Sequence, residues 1–214
     1  MTVSFQDCVF DYGGVIANID LPRMRRRLRD LGISLWRQFW HKSRLEAIAR
    51  LFTDGLDDGH RAVEALRALC RPGTTSNEVR NCMDEFAAQI PPERLNIIAE
   101  LRRRGCRVFL LSNNHPSFWS LAKNEMHRLG HPPAKLFDGI CLSCEMGVAK
   151  PDRQAYEIFT ARSGVVPEKT LYFDDEADNV TAAAAMGFKA VRVPRNRLES
   201  VPEFRQLLAS LQML

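Results

Sequence analysis

Short apolar runs that end in polar residues recur along this chain. Cys8 to Phe10, Arg107 to Leu111 and Thr170 to Phe173 read as buried strands, and Ala190 to Val193 as a weaker fourth. Asp11 follows the first run, Ser112 and Asn113 the second, Asp174 and Asp175 the third. Helical periodicity fills Pro92 to Arg104, Arg153 to Ser163 and Asn179 to Met186, which supplies the crossovers of parallel strands. The pattern therefore predicts an α/β fold with a doubly wound parallel sheet. Ligands of such sheets bind beyond the carboxyl ends of the strands, so the polar residues scattered along the chain are expected to share one crevice.

A different texture separates the first two strands. From Leu21 to Ile90 the sequence reads as helix after helix, broken by turn chemistry at Asp30-Leu31-Gly32, from Asp54-Gly55 to Asp58-Gly59, and at Arg71-Pro72-Gly73. Pro91-Pro92 marks the return. The expected organisation is a core of residues 1–20 and 91–214 with a helical cap of residues 21–90 inserted into it.

Composition narrows the function classes. The chain has 214 residues, enough to bury a core without cross-links. Its six cysteines, Cys8, Cys70, Cys82, Cys106, Cys141 and Cys144, lie scattered in apolar segments, which suits free thiols in a reducing compartment. Cys141 and Cys144 have the spacing of half a zinc or redox site, but no second pair completes it. Val3 to Phe10 runs straight into a strand without a basic leader, and no apolar stretch is long enough to span a bilayer. A cytoplasmic protein without a membrane partner is expected. Net charge is +4, with arginines concentrated at Arg23, Arg25, Arg26, Arg27 and Arg29 and at Arg102, Arg103 and Arg104. Both runs fall on amphipathic helix patterns as solvated faces, so nucleic acid is not an expected partner.

Four segments carry the chemistry. Val9-Phe10-Asp11-Tyr12-Gly13-Gly14-Val15-Ile16, Leu110-Leu111-Ser112-Asn113-Asn114, Gly147-Val148-Ala149-Lys150-Pro151 and Tyr172-Phe173-Asp174-Asp175-Glu176-Ala177-Asp178-Asn179 resemble, in order, the four motifs of the haloacid dehalogenase superfamily. Within it the chain is similar to the subfamily IA branch that holds bacterial glucose 1-phosphate phosphatases and the phosphatase domain of soluble epoxide hydrolase. The resemblance implies a Rossmann-like core and a magnesium-dependent phosphatase acting on a small phosphomonoester, with an aldose 1-phosphate as a candidate. It makes Asp11 the nucleophile, and a carboxylate there can take a phosphoryl group as an acyl phosphate. It makes Asp11, the Gly13 backbone carbonyl, Asp175 and Asp174 the magnesium ligands, as suits a hard cation. Ser112, Asn113 and Lys150 would hold the phosphoryl oxygens, with Ser112 and Lys150 also counted among the catalytic residues.

One departure stands out. Most phosphatases of this superfamily carry a second aspartate two residues past the nucleophile as general acid, and here that position is Gly13. General acid catalysis is typically worth about a hundredfold to ten-thousandfold. Asp20 is a possible substitute if the chain folds back. Two alternatives follow: a fold retained for binding or scaffolding with weakened catalysis, or a dehalogenase, whose branch also lacks that aspartate. The doubly acidic Asp174-Asp175 favours a metal and phosphate chemistry over halide chemistry. In the helical insert, Trp36, Phe39 and Trp40 stand at core-packing spacing beside His41, and are expected to form a buried helix face rather than a sugar platform.

Overall fold

The computed structural model describes residues 7–54, 59–84 and 89–210. The expected strand residues before Asp7 and the turn at 55–58 lie outside the described residues. Five strands form one parallel sheet among the described residues: β1 (Asp7–Phe10), β2 (Arg107–Ser112), β3 (Gly139–Leu142), β4 (Thr170–Asp174) and β5 (Lys189–Arg192), in the order β3-β2-β1-β4-β5. The first, second and third expected strands are present, and the fourth sits one residue earlier than its pattern suggested. β3 went unread, because Gly-Ile-Cys-Leu is a four-residue edge run behind an Asp-Gly pair that reads as a turn.

Side chains alternate across this sheet and both faces are covered. Cys8, Phe10, Val108, Leu110, Leu171 and Phe173 point into one apolar layer, and Val9, Phe109, Leu111 and Tyr172 into the other. The first layer packs against α6 (Pro92–Arg103) through Leu95, Ile98 and Leu101, and against α12 (Pro202–Ser210) through Phe204 and Leu207. α7 (Pro116–Arg128) adds Trp119 and Met126 to it. The second layer packs against α10 (Arg153–Ser163) through Tyr156 and Phe159, and against α11 (Ala177–Ala185) through Ala183. Burial on both faces explains the unbroken apolar character of these strands. α8 (Pro133–Leu136) and α9 (Ser143–Met146) are single turns flanking β3.

The segment between β1 and α6 is helical: α1 (Leu21–Asp30), α2 (Leu35–Trp40), α3 (Lys42–Thr53), α4 (His60–Arg67) and α5 (Ser76–Asp84). It has an apolar cluster of its own, including Leu28, Ile33, Ile48, Val63, Leu66 and Val79. Entry and exit lie side by side, since Asn18 and Gln89 exchange two backbone hydrogen bonds at 2.7 and 3.2 Å. The expected buried face of α2 is absent. Trp36, Phe39 and Trp40 are 68%, 71% and 65% exposed and contact one another instead of the cluster. The spacing was that of one helix face, but the six-residue helix is attached through its other side, where Gln38 donates to the carbonyls of Ile33 and Arg25.

A buried arginine secures the junction. Arg94 on α6 donates to the carbonyls of Val15 and Asn196, at 2.8 and 2.7 Å, and to Asn18 Oδ1 at 2.9 Å, while its fork also pairs with Glu199. It thereby ties the loop after β1 to the loop after β5. Replacing Arg94 with Leu strands two buried carbonyls and is expected to cost about 3 kcal/mol, seen as a lower midpoint in urea denaturation.

Candidate active site

The carboxyl ends of β1, β2 and β4 bring the chemistry-bearing residues together. Asp11 follows β1, and its N–H donates to the Phe173 carbonyl at 2.9 Å, so the backbone of β4 sets its position. Beyond it the chain makes a tight loop, closed by Gly14 N–H to the Ala17 carbonyl at 2.7 Å and Ala17 N–H to the Tyr12 carbonyl at 2.8 Å. Gly14 has φ +79°, and a Cβ there would lie 2.5 Å from Asp175 Oδ2. Glycine is required twice over, by the left-handed backbone and by the carboxylate against it.

Lys150 is the pivot. Its Nζ donates to Asp11 Oδ1 at 2.8 Å, to Asp174 Oδ2 at 2.7 Å and to the Leu111 carbonyl at 2.8 Å, which uses all three ammonium hydrogens. The side chain is 1% exposed, far from an ordinary surface lysine. Asn113 holds the lysine backbone from both sides: its Nδ2 donates to the Lys150 carbonyl and its Oδ1 accepts from the Lys150 N–H, each at 2.8 Å. Ser112 closes β2 as a buried residue, and its Oγ makes only a long 3.5 Å approach to the Asn113 carbonyl. It is not a helix cap, since His115 caps α7.

The fourth segment is held as firmly. Asp174 accepts from Tyr172 OH at 2.6 Å, from the Glu176 N–H at 2.9 Å and from Asn179 Nδ2 at 3.1 and 3.2 Å. Asp175 accepts from Arg195 Nε at 2.5 Å, and Arg195 also pairs with Glu176. One carboxylate oxygen from each of Asp11, Asp174 and Asp175 lies within 4.8 Å of the others. Three buried carboxylates with an open glycine turn beside them form an all-oxygen donor set that suits a hard divalent cation. Gly13 is in this turn with ordinary φ, and a Cβ on it would meet nothing nearer than Ile19 Cδ1 at 3.5 Å. Asp20 is elsewhere: it is exposed and caps α1 by accepting from the Arg23 N–H at 2.8 Å.

Tyr172 and Arg195 escaped the sequence reading. Tyr172 was legible in principle, because residues two apart in a strand share a face and its hydroxyl therefore reaches Asp174. Arg195 lies in the loop after β5 and had no local signal. Burial pushes the Cys141 and Cys144 thiols up from their ordinary value, the opposite of activation.

Electrostatics divides the carboxylates. Burial is the largest influence on Asp11, and repulsion from Asp174 and Asp175 adds to it, so its pKa stands at about 7 in spite of Lys150. Burial also acts to raise Asp174, but attraction to Lys150 and the hydrogen bonds from Lys150 and Tyr172 prevail and hold it low. Asp175 is raised by burial against the pull of Arg195. Burial works against the Lys150 ammonium, yet the two aspartates outweigh it and its pKa is raised. One lysine thus serves two carboxylates unequally.

A parallel sheet whose strand ends gather a buried carboxylate at Asp11, a buried lysine and an acidic pair defines a class of Rossmann-like hydrolases. The chain belongs to the haloacid dehalogenase-like hydrolases, whose family model matches residues 8–187. It is similar to the D-ribitol-5-phosphate phosphatase of Bacteroides thetaiotaomicron, 27% identical over 96% of this chain and 99% of that protein. It is also similar to (S)-2-haloacid dehalogenase 1 of Pseudomonas sp., 26% identical over 95% of this chain and 96% of that protein. In fold it resembles a haloacid dehalogenase family enzyme of Bacteroides thetaiotaomicron crystallised as a magnesium complex, with a TM-score of 0.78, 22% identity, and coverage of 94% and 99% of the two chains.

A pH dependence follows for the metal-free protein. The folded state keeps a proton on Asp11 up to about pH 7, whereas an unfolded aspartate releases it near the ordinary value of 3.8. The folded state binds more protons between those limits, so Asp11 makes stability fall as pH rises through that window. In chelator, the thermal midpoint of Asp11→Asn is expected to gain on that of the unmodified protein as pH rises from about 4 to about 7.

Proposed function

We propose that this chain is a magnesium-dependent phosphatase that hydrolyses a small phosphomonoester through an aspartyl phosphate on Asp11. The observation that carries the reading is the meeting of Asp11, Lys150, Asp174 and Asp175 at one crevice. The phosphatase relative and the magnesium-bound structural neighbour support it. Asp11, Asp174, Asp175 and the Gly13 carbonyl would hold the cation, which offsets charge on the transferring phosphoryl oxygens.

The chain's own residues do the rest. An Asp11 oxygen attacks phosphorus, the ester P–O bond breaks, and the leaving group departs with its electron pair. Water then attacks phosphorus, releases inorganic phosphate and restores Asp11. Lys150, already aimed at Asp11, keeps the nucleophile oriented and neutralises incoming charge. The Ser112 hydroxyl and the Asn113 backbone N–H are assigned to the phosphoryl oxygens, the Asn113 side chain being committed to Lys150. We further assign residues 21–90 as a cap that closes over the crevice, with the paired Asn18 and Gln89 as its two hinge strands. An aldose 1-phosphate fits the absence of a carboxylate at Gly13, because its leaving oxygen requires less protonation than that of an ordinary alcohol. The same chemistry admits other esters with good leaving groups.

Phosphate release from a panel of phosphomonoesters is expected to require magnesium and to vanish in Asp11→Asn. Chelator-insensitive halide release from a 2-haloacid would favour a dehalogenase, and no release from any ester would favour a binding protein. Gly13→Asp restores the family's general acid in a turn with room for a side chain. It is expected to raise kcat for alkyl phosphates by about a hundredfold while changing aryl phosphates little. Equal effects on both would show that the introduced carboxylate does not act as that acid.

A further inference from the structure

A cavity of about 770 Å³ lies between the helical insert and α7, and it reaches Tyr12 and Gly13, the residues that follow Asp11. Its walls are apolar. Met24, Leu28, Leu45 and Ile48 line it from the insert, and Phe118 and Leu121 from α7. Tyr12, Gly13, Ser112, Asn113 and Asn114, at the ends of β1 and β2 and in the loops after them, line it as well.

Resting on the phosphatase reading, we infer that this cavity takes the leaving group and that the substrate is a phosphate monoester of a bulky apolar group, with a phenol meeting the need for a good leaving oxygen that Gly13 imposes. A polyol would need several donors and acceptors directed at its hydroxyls. Away from the β1 and β2 loops, the polar side chains lining the cavity among the described residues are Asp84, Gln89, Glu125 and Arg128. Glu125 and Arg128 satisfy each other through two bonds at 2.7 and 2.6 Å. Gln89 is exposed, with its backbone paired to Asn18, which leaves the half-buried Asp84 as one carboxylate against a wall of apolar side chains. Sugar hydroxyls set against the six apolar side chains would lose their water without replacement, at a cost of roughly 1–3 kcal/mol each by mutational scales. An alkyl or aryl group loses nothing there and removes its own surface from water. Phosphate is then held by the strand ends and the apolar group by the insert. This differs from the aldose 1-phosphate considered above.

The test separates binding from turnover. Isothermal titration calorimetry on full-length Asp11→Asn with magnesium would compare ethyl, butyl and hexyl phosphate with glucose 1-phosphate. Affinity should rise about fourfold for each added methylene, and hexyl phosphate should bind more tightly than the sugar ester. Leu121→Glu, at a position 37% exposed on α7, should flatten that series. Leu45→Glu should do the same from the opposite wall. A flat series in the unmodified cavity, or tighter binding of glucose 1-phosphate, overturns the inference. Acetyl phosphate, whose leaving group is too small to test the cavity, reports separately on the chemistry. Its magnesium-dependent hydrolysis beside a flat series would sink the apolar substrate alone, while a rising series without its hydrolysis would sink the phosphatase reading alone.

Discussion

A single buried ammonium holds this site together. Lys150 reaches Asp11, Asp174 and the end of β2 at once, and its side chain has almost no access to water. Without it, two strand ends would present three carboxylates to one another inside a poorly solvated crevice. Such a cluster is unfavourable unless a cation intervenes. The lysine supplies part of that compensation, while burial first, and then repulsion from Asp174 and Asp175, still raises the pKa of Asp11. Three buried carboxylates beside one ammonium form a donor set to which a divalent ion would bring the further positive charge.

The surrounding structure serves to keep these groups fixed. Asn113 grips the Lys150 backbone, Tyr172 and Asn179 grip Asp174, and Arg195 grips Asp175. Side chains locked in this way need little reorganisation when charge moves, which is how a site lowers a barrier electrostatically. Arg94 extends the same principle to the junction, joining the turn after β1 to the loop after β5. That turn runs on to Asn18, which pairs with Gln89 at the far end of the helical insert, so the site and the insert share one support.

The division of labour follows from geometry. Polar groups capable of holding a phosphoryl group collect at the strand ends, while the insert and α7 face one another across an apolar space. Gly13 lies at the boundary of the two regions. A side chain would fit there, so steric exclusion is not the reason for glycine.

Four of the five strands, the order of the motifs that follow them and the meeting of Asp11, Lys150, Asp174 and Asp175 were legible in the sequence alone. These were legible because strands buried on both faces read as short unbroken apolar runs, and because polar residues of each motif stand within a few positions of a strand end. The four-residue edge strand β3 was too short to carry that signal. Other features depended on contacts between distant segments. The sequence shows a lysine at 150, but only the fold removes it from water and sets it between two aspartates. It shows Trp36, Phe39 and Trp40 at core spacing, but only packing decides that α2 turns its opposite side inward. Arg94 and Arg195 were two arginines among many until tertiary structure brought carbonyls from two loops to one and Asp175 to the other. Periodicity reports what a local backbone can bury, whereas the partner of each buried charge is set by which remote segments the completed core brings within hydrogen-bonding distance.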